Sequence, residues 1–447
     1  MSESVDPSEL VGAEPSEESG ADDKPPVPML RLRDGLPGVT DTDEKLMSAA
    51  AALAAGTGPV GVDAERASGY RYSNRAYLVQ LRREGAGTWL IDPVNLSTLA
   101  PLADALHDTE WILHAATQDV PCLAELGLRA DALFDTELAG RLLGYPRVGL
   151  ATLVETVLGF QMLKEHSAAD WSTRPLPEAW LEYAALDVEV LAELRDALAA
   201  ELRETGKAEW ARQEFDALRG FTPAPRVDAW RRTSGMHKVR GRRGLAAVRE
   251  LWVTRDGIAQ DRDVTPGRII PDAAIVAAAI ELPADRAALL GTKGFHGRGA
   301  ERYAASWVKA LNRALTMPDE ELPARTPRGD GPPTPRAWAE KDPVAARRLD
   351  LARAALAQLA EERHLPTENL LTPDYLRRTL WTPPRTRNAG ELLDNVAGQL
   401  ARYGARSWQI MLTAPVITDA ILAADTAGKG SADDAADGAA DGADVND

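Results

Sequence analysis

The sequence predicts an α/β domain followed by two all-α helical modules, and three observations point there. Short apolar runs alternate with helical patterns as far as about Asp216, strand-like runs stop beyond Pro223 and Pro225, and two features of the helical half recur about a hundred residues apart. Both ends of the chain are acidic and rich in Gly, Ala, Ser and Pro, so residues 1–30 and 425–447 are expected to be disordered acidic tails. A chain of 447 residues has room for two to four domains.

In chain order, the run from Pro59 to Val62 is apolar and ends in Asp63 and Glu65, as a buried strand ending at a site would. Ala76 to Leu81 and Thr88 to Asp92 read as two neighbouring strands joined across the glycine turn from Glu84 to Gly87. Trp111 to His114 is a further strand, and a helix is expected from about Pro177 to the region of Glu201. These elements define a first domain over residues 31–216. Beyond it, Ile269 to Ile280 is echoed with one inserted residue by Leu370 to Leu380, and Arg302 to Trp307 returns as Arg402 to Trp408. One small helical unit is therefore present twice, over 217–315 and 336–424, with a linker over 316–335.

Charge and composition remove several classes of function. Of the net charge of −17, residues 1–30 carry eight acids against Lys24, and 425–447 carry seven against Lys429, which leaves −4 for the folded body. Acidity is thus no argument against a nucleic-acid substrate, because distribution matters more than the sum. Cys122 is the only cysteine, so neither an internal disulfide nor a cysteine-rich zinc site is available. No apolar run approaches the roughly 20 residues of a bilayer-spanning helix, and the start of the chain is acidic where a signal peptide is basic and then apolar. The expectation is a cytoplasmic protein without a membrane partner. Absence of GxxxxGK[ST] argues against a nucleoside triphosphate as ligand.

Candidate chemistry rests on four carboxylates and a phenol. Asp63 and Glu65 stand two apart on a strand and so point to one face; alone, such a pair beside a turn is ordinarily solvated. Asp119 follows a strand-like segment, where an N-cap is the everyday role. Tyr183 and Asp187 stand i and i+4 on a helix and project together, although a tyrosine on an apolar helix is usually core. Taken together, four carboxylates and no histidine or cysteine cluster suit two hard divalent cations with oxygen ligands, Mg2+ or Mn2+ rather than zinc. Two such ions suit in-line displacement at phosphorus, which is phosphodiester hydrolysis. Asp135 is read as a helix cap, His114 as a structural hydrogen-bonding residue, and Trp171 as packing near the tip of the domain rather than as a base-stacking side chain.

The run from Asp170 to Leu191, DWSTRPLPEAWLEYAALDVEVL, closely resembles the third exonuclease motif of ribonuclease D, in the DEDD superfamily whose last motif contains a tyrosine. Phe134 to Gly140 and His114 to Asp119 share the resemblance, which extends over nearly all of residues 31–216. It implies a ribonuclease-H-like fold, two metal ions held by Asp63, Glu65, Asp119 and Asp187, and a water positioned by Tyr183. It also implies a 3′–5′ exoribonuclease that releases 5′-mononucleotides from RNA with a free 3′ end, transfer RNA precursors among them; a monomer is expected, although nothing in the sequence fixes the oligomeric state. Ala64 departs from the family, which usually has Thr there, but its side chain is expected to point away from the metals.

The repeated helical unit resembles the helicase-and-RNase-D C-terminal (HRDC) domain. In the first copy, Lys238, Arg240, Arg242 and Arg243 form one basic stretch, and Lys293, Phe295, His296 and Arg298 lie in a glycine-rich loop. Cations for phosphates with a phenyl ring for a base is the mixture that single-strand binding uses; a solvated basic surface is the plain alternative. The second copy lacks that loop, and Trp381 to Arg387 is read as a brace. Two rivals remain: a DNA exonuclease of the same fold, since the acids do not distinguish sugars, and a nucleic-acid-binding scaffold without catalysis.

Overall fold

A computed structural model describes residues 27–162, 168–326, 329 and 331–440, with side chains up to Thr426. The acidic stretch over residues 1–26 and the last seven residues, both expected to be disordered tail, lie outside the described residues.

Six strands form one mixed sheet: β1 (Val39–Thr40), β2 (Thr57–Arg66), β3 (Ala76–Glu84), β4 (Gly87–Ile91), β5 (Glu110–Leu113) and β6 (Ala132–Asp135), in the order β1-β4-β3-β2-β5-β6. β3 runs antiparallel to β2 and β4, whereas β2, β5 and β6 are mutually parallel along their shared edges. The expected glycine turn closes the β3–β4 hairpin, where Arg83 pairs with Gly87. β1 and β6 are additional to the strands read from sequence: β1 has two residues, and β6 runs straight into the helix Thr136–Leu143, so neither is set off as a separate run.

Alternation along β2 separates two faces. Val60, Val62 and Ala64 enter the main core, and Gly61, Asp63 and Glu65 face the helix Glu178–Glu189 and the start of the helix Leu191–Glu204. Where one helix was expected from Pro177 to about Glu201, two are found. The break is at Val190, whose backbone (φ −123°, ψ 18°) leaves the helical region, and Leu191 there packs on Ile112 and Val188.

The two helical units share an element order. Helices Arg242–Asp261 and Pro343–Glu362 are each 20 residues long, Pro266–Ile269 matches Thr367–Leu370, and Asp272–Glu281 matches Pro373–Trp381. They sit differently against the sheet domain. The second shares one continuous apolar core with it: Trp210 stacks on Trp408 with ring centres 4.8 Å apart, and Lys207 Nζ donates to the carbonyls of Leu142 (2.7 Å) and His364 (3.2 Å). The first has its own core and meets the loop after β2 through polar contacts. Tyr72 donates to Asp256 (3.0 Å), the Ser73 N–H to Asp263 (2.8 Å), and Arg268 lies over the Tyr70 ring.

The last helix, Ser407–Ala440, crosses position 425, where the C-terminal tail was expected to start. Asp425 accepts from Arg348 and Arg387 at 2.6 Å each, so it belongs to the folded body. The segment Ser407–Thr426 is also long and apolar enough to cross a membrane by length and composition, with a mean hydropathy of 1.3. That corrects the expectation that no apolar run approaches such a length. Thr413, Pro415 and Thr418 interrupt the run in sequence, yet the helix continues through them with half its surface buried in the bundle.

Candidate active site

Strand β2 delivers the first two acids, and its cover delivers the rest. A Cβ on Gly61 would stand 3.3 Å from both the Leu191 Cβ and the Val188 carbonyl. The absence of a side chain there lets the helix Glu178–Glu189 lie close against the strand and brings Asp187 over Asp63 and Glu65. One carboxylate oxygen from each of these three residues lies within 4.8 Å of the others. Ala64 is buried on the opposite face, as expected for the position that departs from the family.

Asp119 enters from the other side. Its side chain makes no cap hydrogen bond to the helix Val120–Glu125, so the everyday role considered for it is not realised. The carboxylate is buried instead, with Oδ1 3.6 Å from the Arg66 guanidinium. The loop carrying it is clamped by Asp135, whose carboxylate accepts from the N–H groups of Ala115 (3.2 Å) and Ala116 (2.8 Å). Ala115 is in the left-handed region (φ 60°). Asp135 also caps the helix Thr136–Leu143 through the Leu138 N–H (3.0 Å). The capping role was legible from the sequence; the clamp on the Asp119 loop was not, because it joins residues about twenty apart.

Burial and mutual repulsion dominate the electrostatics. Desolvation, followed by the charges of Asp63, Asp187 and Asp119, pushes the Glu65 carboxyl up to about 10. Desolvation also raises Asp63 to about 6 and holds Asp119 and Asp187 well above the usual carboxylate range. Burial and the adjacent carboxylates raise Tyr183, which hydrogen-bonds to Asp187. Arg66 is the cation that offsets this cluster. Three carboxylates within 4.8 Å of one another, with Asp119 outside that group but close enough to repel them, fit a divalent cation, whose charge would reverse these shifts.

Nearby side chains have structural roles. His114 Nδ1 is 2.9 Å from Thr136 Oγ1, and burial lowers its pKa to about 4, which suits the structural role expected for it. Trp171 is fully buried and packs on Trp180, so it is not free to stack on a base. Gln80 escaped the sequence reading. It stands opposite Asp63 in the β2–β3 pair, is fully buried, and neither of its amide atoms has a hydrogen-bond partner among the described residues.

The basic residues of the first helical unit divide into two groups. Lys238, Arg240, Lys293, His296 and Arg298 are exposed. Both stretches border the helix Asp272–Glu281: Gly235 approaches Val276, and Gly294, at φ +87°, lies so close to Ala274 that a Cβ would meet it at 3.3 Å. Three further expectations are corrected. Phe295 is fully buried edge-on to Trp307, so it cannot stack on a base. Arg242 is bound to the carbonyls of Leu322 and Pro323. Arg243 is bound to the carbonyls of Ala314 and Met317 and to Asp319. Both guanidinium groups tie the start of the long helix to the segment that closes the unit. In the second unit, Arg387 is held by Asp425 and Trp381 packs on Trp338, consistent with a brace.

An α/β sheet with a buried carboxylate cluster at the end of its central strand, followed by helical units, defines a metal-dependent 3′–5′ exonuclease. Residues 39–203 match the family described as 3′–5′ exonuclease, 244–311 the HRDC domain, and 331–421 the 3′ to 5′ exonuclease C-terminal domain. The chain belongs to the ribonuclease D family. Ribonuclease D of Granulibacter bethesdensis is 30% identical over 289 residues, which cover 63% of this chain and 70% of that one. Curated relatives of this name are spanned over 56 to 76% of their own length. A crystal structure of a protein from Bifidobacterium adolescentis is 37% identical, with a TM-score of 0.80 over 88% of this chain and 99% of that one. Escherichia coli RNase D shares the fold at 24% identity, with a TM-score of 0.61 over 82% and 99% of the two chains.

Proposed function

We propose that the chain is a two-metal 3′–5′ exoribonuclease of the bacterial cytosol, acting as a monomer. It would release 5′-mononucleotides from the 3′ ends of structured RNA, transfer RNA precursors included. The observation that carries this is the convergence of Asp63, Glu65 and Asp187 within 4.8 Å, with Asp119 beside them. Support for the substrate class comes from the ribonuclease D relatives and from the Escherichia coli fold neighbour, described as an exoribonuclease involved in structured RNA processing.

In this scheme Asp63, Glu65, Asp119 and Asp187 hold the Mg2+ or Mn2+ ions. Bound there, such ions supply charge stabilisation at the phosphorus and a water acidic enough to attack. The protein's part is positioning. Tyr183 donates its one O–H to Asp187 and positions the attacking water through its phenol oxygen. Asp135 fixes the Asp119 loop, and the exposed Lys238, Arg240, Lys293, His296 and Arg298 supply a phosphate-binding surface on the first helical unit.

The test is degradation of a 5′-labelled single-stranded RNA with magnesium, with EDTA, with the Asp187→Asn variant, and with the matching DNA oligomer. A ladder shortening from the 3′ end that needs metal and Asp187 supports the proposal. Equal or faster cleavage of DNA moves the substrate class to DNA, and binding without cleavage in any metal leaves a scaffold.

A further inference from the structure

An acidic cluster repels the polyanion it must cut, so cations have to stand where the strand reaches it. Beside the cluster lies an open groove of about 610 Å3, within the roughly 300–1,000 Å3 of ligand sites. One wall is the loop and helix that carry Asp119; the other is the segment from Arg219 to Pro223, which leads out of the sheet domain. Three guanidinium groups line it, those of Arg66, Arg129 and Arg219, against a single carboxylate, Glu125. In a chain of net charge −17 that local excess is unusual.

The three arginines are held differently. Arg66 is tethered: Nη1 donates to the Gln118 carbonyl at 2.8 Å and Nη2 lies 3.6 Å from Asp119 Oδ1, so its charge is fixed where the groove meets the acids. Arg129 is exposed and has no ion pair among the described residues. Arg219 is exposed and only 3.8 Å from Asp216, a long contact of little worth at the surface. Two cations are therefore free to bind an anion, and a third marks the way to the metal site. Phe221 and Pro223 offer apolar surface along the same wall.

We propose that this groove holds the sugar-phosphate backbone of the single-stranded 3′ segment of the substrate. Arg129 and Arg219 contact phosphates behind the scissile bond, and Arg66 contacts the phosphate nearest the acids. The proposal rests on the exoribonuclease function above and adds where the strand lies. The 5′-phosphate of a released nucleotide has the same chemistry, and the experiment separates the two sources.

The full-length protein and the Arg129→Ala/Arg219→Ala variant are compared. Both side chains are on the surface, and an unchanged melting temperature checks the fold. Binding of a labelled oligoribonucleotide is read by anisotropy in calcium against salt. Turnover is read in magnesium on that oligomer, with and without added 5′-mononucleotide, and on a dinucleotide too short to fill the groove. Expected are a roughly tenfold weaker Kd and a salt slope reduced by about 1.4, the loss of two single-strand phosphate contacts. KM should rise on the oligomer with kcat little changed, and dinucleotide turnover should stay within about twofold. Three results overturn the proposal: no RNA binding by the wild type, an unchanged Kd and slope, or weaker inhibition by a mononucleotide with oligomer binding intact, which makes the groove a product site. Because binding is read without turnover, a wild type that binds RNA through the groove but cleaves nothing fails the exonuclease function and not this one.

Discussion

Asp63 and Gln80 face each other across the antiparallel β2–β3 pair, and the amide of Gln80 is fully buried with no hydrogen-bond partner among the described residues. Directly opposed residues of such a pair share a face, so the amide lies beside the Asp63 carboxylate under the helix Glu178–Glu189. An unpaired buried amide costs about 1–3 kcal/mol. In Gln80→Leu the metal-free protein is expected to be about 1–3 kcal/mol more stable than wild type, with metal affinity nearly unchanged, because no hydrogen bond to Asp63 is lost. Calorimetry of the metal-free variant and titration with Mn2+ check this. A drop in metal-free stability, or a large loss of affinity, would show that the amide is paired after all.

Asp135 joins two jobs in one carboxylate, capping a helix and clamping the turn ahead of Asp119. Asp135→Ala is expected to lose about 2 kcal/mol of stability from the cap and the unpaired N–H groups, with kcat lowered by about tenfold or more as Asp119 loosens. Asp135→Asn keeps one acceptor oxygen and should recover part of both. Chemical denaturation alongside turnover measures them; intact activity in the stable fraction of Asp135→Ala would rule out the clamp.

The pH dependence of stability has a defined sign. Asp63 and Glu65 have folded-state pKa values raised to about 6 and about 10. Their contribution to metal-free stability is full below the ordinary carboxylate range near 4 and is lost as pH rises through those values. The melting temperature in EDTA should therefore fall between about pH 5 and 8. Saturating magnesium should flatten the curve, because the bound cation favours the charged carboxylates and displaces their protons. A metal-free melting temperature that rises over this range would contradict the assignment.

Tyr183→Phe separates positioning from binding. The phenol is hydrogen-bonded to Asp187 and held protonated, so its loss should lower kcat by about 100-fold or more with Mn2+ and RNA affinity nearly unchanged. Steady-state kinetics with binding titrations decide the matter. A variant that lost metal would show that Tyr183 acts by shaping Asp187.

Much of this molecule was determined by local sequence. Period-two alternation put Val60, Val62 and Ala64 on one face of a strand and Asp63 and Glu65 on the other; four-residue spacing put Tyr183 beside Asp187; and the recurrence of two motifs disclosed the paired helical units. Each depends on neighbours in the chain, and backbone periodicity carries that information. What only the tertiary structure decided depends on which distant elements meet. Gly61 admits a helix more than a hundred residues away, the Asp119 carboxylate turns to Arg66 instead of capping its helix, and Arg242 and Arg243 are taken up by carbonyls some seventy to eighty residues on. Burial of Phe295 and the Trp210–Trp408 stack have the same origin. A phenyl ring or a guanidinium group has the same identity in a core as at a surface, and its role follows from the desolvation and the partners that packing imposes on it.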